Sequence, residues 1–163
     1  MLVVAATLTA CSPTPTPTPT PTPVFASEDE AFAAAEATYR AYNDASNERR
    51  LGGPDAHPEN YLTGAALEAD LTASDYLRAE GLTVTGTVVI IKFEGIDADI
   101  QNRGASLTAL VCLDSKNTRV LDAGGTDVTP AGRAEVVALE ARMVTNEGAL
   151  QVEEETDVEV ARC

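Results

Sequence analysis

The spacing of apolar residues changes once along the chain, at Gly81, and that change limits the fold more than any other feature. Before it the repeat is three to four residues. Ser27-Glu28-Asp29-Glu30 reads as a capping box, in which Ser27 caps the Glu30 N–H and the Glu30 carboxylate reaches back to Ser27. Three acids in a first turn also suit the positive end of a helix dipole. Phe32, Ala35, Tyr39, Tyr42 and Ser46 then form one stripe, which predicts a helix to about Arg50, stopped by Gly52-Gly53-Pro54. Tyr61-Leu62 suits a short helical turn. From Gly64 to Glu80, Leu67, Leu71, Ser74 and Leu77 mark a second amphipathic helix, with Gly81 as its C-cap.

After Gly81 the repeat shortens to two. Leu82 to Phe93 is apolar on both faces across Val88-Val89-Ile90-Ile91, which predicts a strand buried on both sides near a sheet centre. Gly95 suits a bulge, after which Ile96 to Ile100 continues the strand. Asn102-Arg103-Gly104 is a hairpin turn into a strand whose apolar phase is Ala105, Leu107, Ala109, Val111 and Leu113. Arg119-Val120-Leu121 makes a short edge piece. Arg133 to Thr145 carries Val137, Leu139, Ala141 and Met143 inward. The last strand, after Asn146-Glu147-Gly148, puts Leu150, Val152, Val158 and Val160 on one face and Gln151, Glu153, Glu155, Asp157 and Glu159 on the other. Helices followed by an antiparallel meander is an α+β order.

The residues ahead of the first helix have another character. Proline occupies every odd position from Pro13 to Pro23 with Thr between, which predicts a polyproline II spacer of about 35 Å, bare or O-glycosylated. Before it, Leu8-Thr9-Ala10-Cys11 closes an apolar stretch (Leu2 to Ala6) too short for the roughly 20 residues of a membrane span. This arrangement resembles the lipobox of bacterial lipoproteins. The resemblance implies a signal peptide at 1–10, a lipidated Cys11 opening a Thr-Pro-rich linker at 11–24, and a domain at 25–163 held on the extracytoplasmic side of the cell membrane. At least two acyl chains would make the anchoring stable. No positive residue precedes the apolar stretch, which fits a start codon further upstream; the alternatives to lipidation are a secretory signal cleaved without it and a chance apolar start.

The formal net charge is −15, all of it from Glu28 onward. Such a surface repels nucleic acid and anionic head groups, so no nucleic-acid partner is expected. Trp is absent and aromatics are few, which disfavours sugar stacking and aromatic cages.

A long capped helix, a short helix, a third helix and then long strands resemble the nuclear transport factor 2-like cone. Within it, Phe25 to Ala45 (FASEDEAFAAAEATYRAYNDA) and Leu107 to Asp114 (LTALVCLD) resemble exported bacterial members of unassigned function. The resemblance implies a curved antiparallel sheet wrapping the long helix, with a pocket at the open end. That superfold serves isomerases, dehydratases and cyclases as well as binding and dimerisation modules, so it does not choose among them.

An enzyme of that kind needs an acid or base inside the cone. Glu154 and Thr156 share the parity of Leu150, Val152, Val158 and Val160, which makes them pocket floor unless the strand leaves the core or a bulge shifts its phase. His57, the single histidine, sits in a loop before Pro58 without a nucleophile motif, and reads as exposed. Asp97-Ala98-Asp99 begins like a calcium loop, but Gln101 and Asn102 replace the acid and glycine such a loop requires. The sequence therefore assigns no catalytic, cofactor or metal residue.

The cysteines carry one further expectation. With Cys11 taken by lipid, Cys112 and Cys163 remain, an even number in an oxidising setting. Both lie in the outward phase of their strands, and the resemblance places the later strands side by side, which predicts a Cys112–Cys163 disulfide. The expected function is a membrane-anchored, non-enzymatic domain of the cell envelope that binds a small hydrophobic ligand or an envelope protein. The alternatives are a small-molecule isomerase, cyclase or dehydratase, and a structural component acting as a homodimer.

Overall fold

The computed structural model describes residues 24–163. Helix α1 spans Glu28–Arg50, a 3-10 helix follows at Pro58–Tyr61, and α2 spans Gly64–Ala79. The strands are β1 Thr83–Thr85, β2 Val89–Gln101, β3 Gly104–Asp114, β4 Arg119–Leu121, β5 Val136–Asn146 and β6 Ala149–Val158, with a short 3-10 turn at Val160–Arg162. Strands β2-β3-β5-β6 form one antiparallel sheet in that order, while β1 and β4 pair separately. Neither sheet closes on itself. The architecture is α+β, with both helices on one face of the larger sheet.

The cap forms as its chemistry requires. Ser27 Oγ accepts from the Glu30 N–H at 3.2 Å, and Glu30 Oε2 reaches past Ser27 to the Ala26 N–H at 2.7 Å. The stripe of α1 that meets the sheet is Ala31, Ala35, Tyr39, Asn43 and Ser46. Alanine at its first two positions lets the helix sit close. Against it pack Leu107, Val111, Ala141, Met143 and Val152, with Leu62 and Ala66 from the α2 side. Gly95 is open for the same reason: a Cβ there would stand 2.4 Å from the Phe32 ring. The phase of β2 shifts at that point, between Gly95 and Asp97.

The doubly buried central strand expected from Leu82 to Phe93 does not form. Gly86, at φ +86°, breaks the segment where it passes so near the Asn117 carbonyl that a Cβ would lie 2.1 Å from the oxygen. Strand β2, beyond the break, is the sheet edge, and its apolar excess faces out: Val89 is 50% and Ile91 53% exposed. A second register shift, between Ile90 and Lys92, throws Ile91 out of phase. The centre belongs to β3 and β5. Similarly, α2 turns Ala66 rather than Leu71 inward, and Leu71 lies 51% exposed.

Candidate functional site

Strand β6 changes face midway. Arg142 pairs with Glu154 but Met143 pairs with Val152, so Glu153 is an extra residue. Leu150 and Val152 face the helices; beyond the bulge Glu155 takes that side, and Val158 turns outward onto Leu110, Cys112 and Ala138. Glu154 and Thr156 are therefore exposed and form no pocket floor, and the acid turned inward is Glu155. Its carboxylate accepts a hydrogen bond from the Tyr39 hydroxyl, carried over from the middle of α1. Burial pushes the Glu155 pKa up, Asp70 and Asp157 add to the rise, and the Tyr39 hydrogen bond opposes it. Burial and the neighbouring Glu155 raise the Tyr39 and Tyr42 hydroxyls further from ionisation. The cleft beside this pair, bounded by Tyr42, Ser46, Arg50 and Leu139, holds about 100 Å³. That is room for a few waters, well below the several hundred Å³ of a typical ligand pocket.

A larger groove of about 530 Å³ opens between the C-terminal end of α1, α2 and β1. Arg49 forms a two-point bridge to Asp70, with Nη1 donating to Oδ2 at 2.9 Å and Nη2 to Oδ1, and this bond holds the Arg49 pKa up. Leu77, Leu82 and Val84 supply the apolar wall. Arg50 lines both the groove and the cleft. Its Nη2 donates to Asn47 Oδ1 at 2.6 Å, while its buried Nε has no partner. One turn earlier, the buried Ser46 Oγ is likewise unpartnered. Burial lowers the Arg50 pKa.

Cys112 and Cys163 stand at disulfide distance, with Cα atoms 5.8 Å apart. Their strands are not neighbours, however, because β5 runs between β3 and β6. The turn Val160–Arg162 instead crosses the outer face of β5, where the small Ala138 leaves space. Arg162 fixes the crossing through Nη1 to Glu140 Oε2 at 3.0 Å, and its carbonyl accepts from Lys92 Nζ at 3.0 Å. Cys11, the signal peptide and the linker up to Pro23 lie outside the described residues. His57 is exposed, its Nδ1 2.8 Å from Glu59 Oε1. Asp97 and Asp99 are exposed, and among the described residues no three His, Cys, Asp or Glu side chains stand together as metal ligands. No described helix is long and apolar enough to cross a membrane.

Sequence reading missed Glu155 and Arg50. The residues at 153 to 155 are all glutamate, so the bulge that swaps their faces leaves no mark in the sequence. Arg50 reads as a helix-end cation, and the groove beside it exists only once α2 and β1 are in place.

The class that this geometry defines is an α+β domain with two helices over one face of an antiparallel sheet. No protein-family model matches the chain, and no curated protein matches it. Among solved structures, it is similar to the crystal structure of the intermembrane space region of the chloroplast protein ARC6, with a TM-score of 0.54 at 13% identity, covering 77% of this chain and 95% of that one. At that identity the likeness is one of fold.

Proposed function

We propose that the chain is a lipid-anchored domain on the extracytoplasmic side of a bacterial cell membrane, spaced from it by the Thr-Pro linker, which binds a ligand without chemistry. The groove between α1, α2 and β1 carries this reading: it has ligand-sized volume and a mixed apolar and cationic lining, and its one carboxylate, Asp70, is tied up by Arg49. The acid that β6 turns inward, Glu155, lies elsewhere, held by Tyr39 in a cleft too small for a substrate. The order of helices and strands supports a nuclear transport factor 2-like relation, with the sheet left open. The long edge strand β2, with Val89, Ile91 and Ile96 exposed, supports the homodimer alternative.

Expression with the native signal in a bacterium tests the anchor. Wild-type protein is expected in the membrane fraction with an acyl mass on Cys11, and Cys11→Ser is expected in the soluble fraction. Equal membrane retention of both, without lipid on the wild type, overturns the anchor. Turnover of a small-molecule substrate lost with Glu155→Gln overturns the non-enzymatic reading.

A further inference from the structure

We infer that the groove between α1, α2 and β1 takes a small amphipathic monocarboxylic acid, its carboxylate on Arg50 and its apolar body along Leu77, Leu82 and Val84. This rests on the binding reading above and names the ligand class.

The charge arrangement points to an anion. The chain as a whole has 26 acidic side chains against 11 cationic ones, yet three arginines line this groove with one carboxylate. Two of the three are already matched. Arg49 is bridged to Asp70 at two points, and Arg78 Nη1 lies 2.5 Å from Asp75 Oδ1 on the outside of α2. Arg50 has no carboxylate at ion-pair distance among the described residues. It donates to one neutral acceptor, Asn47, and keeps a buried N–H unsatisfied. A half-buried cation without a counter-charge is unfavourable until a negative acceptor reaches the guanidinium nitrogens that are not closed to solvent.

The same arrangement fixes the ligand's charge and shape. One positive charge is uncompensated, so one negative charge neutralises the site. A second would meet Asp70 and the acidic field of the rest of the chain. The guanidinium is planar and matches a carboxylate's two oxygens. The apolar side chains lie along the same groove, so an acid with a hydrocarbon body buries surface there while its head reaches Arg50.

The test is calorimetric titration of the 25–163 domain with decanoate below its micellar concentration, with decanol as the uncharged counterpart. Decanoate is expected to bind at one site roughly tenfold or more tightly than decanol, as a charged hydrogen bond predicts. Arg50→Gln is expected to reduce decanoate to the affinity of decanol and to leave decanol unchanged. Arg40→Gln, on the exposed face of α1 outside the groove lining, is expected to change neither. Should Arg50→Gln fail to fold, Ala73→Glu, at an exposed α2 position on the groove, is expected to weaken decanoate by supplying a carboxylate in its place. Equal binding of the two probes, no binding of either, or full decanoate affinity in Ala73→Glu or folded Arg50→Gln overturns the assignment. In those cases membrane retention through Cys11, or capture of an envelope protein by the anchored chain, would leave the broader reading standing.

Discussion

Tyr39 and Glu155 meet where the middle of α1 crosses β6, and their pairing sets a pH dependence. The ordinary glutamate pKa is 4.5, and burial raises that of Glu155. Across the window between the two, the folded state keeps a proton that the unfolded chain has released. Stability from this group therefore falls as pH rises through that window and stays lower above it. Glu155→Gln keeps an acceptor for Tyr39 and removes the charge. It is expected to melt higher than wild type at pH 8 and close to it at pH 4, so a gain at pH 4 with none at pH 8 contradicts the account. Tyr39→Phe strands the carboxyl without its donor, at about 1–3 kcal/mol. The loss is expected to be larger at pH 8 than at pH 4, below the ordinary glutamate value, where protonation relieves the buried charge; urea melts at both pH values measure it.

At the scale of elements, what is legible in the sequence is what local contacts decide. The α1 cap is legible because Ser27 and Glu30 are one turn apart, and the hairpins are legible because Asn102-Arg103-Gly104 and Glu147-Gly148 suit tight turns. The latter pair sits at φ +50° and +86°, the left-handed region such turns need. Strand position is not local. The apolar run from Val88 to Ile91 reads as a sheet centre, but a bulge and the break at Gly86 leave it on an exposed edge. Candidate sites divide in the same way. The cysteine pair is legible from the even count, although the bulge and the Val160–Arg162 turn overturn the strand phase expected for Cys163, whereas Glu155 owes its burial to a bulge among identical residues, and Arg50 to a groove assembled from three elements. Gly95 is legible as a bulge, but not as the seat of Phe32. Gly95→Ala is expected to destabilise by about 1–3 kcal/mol through overpacking against that ring. Phe32→Leu in the same chain should recover part of the loss, because the two sites couple directly. Additive losses in denaturant titrations contradict the contact.

The whole molecule is held in two halves by different means. The helices join the sheet through the apolar core beneath α1, while the outer sheet face is clasped by the Val160–Arg162 crossing and the Cys112–Cys163 pair. Closing a 51-residue separation contributes about 4 kcal/mol in the chain-entropy view. Reduction, or Cys112→Ala with Cys163→Ala, is expected to lower the urea midpoint accordingly. Two free thiols in denatured, unreduced, exported protein would contradict the bridge. The bridge also divides the chain mechanically. Strands β4 to β6 and the end of β3 fall inside a covalent ring, while α1, α2, β1 and β2 fall outside it. A pull between handles on the linker and beyond residue 163 can unravel the outer part only, because the ring passes tension straight from Cys112 to Cys163. In an optical trap, reductant is expected to lengthen the fully extended chain by about 170 Å, the reach of the released segment. Under a pull on the chain ahead of α1, the domain can give up the groove while half of its larger sheet remains a closed loop.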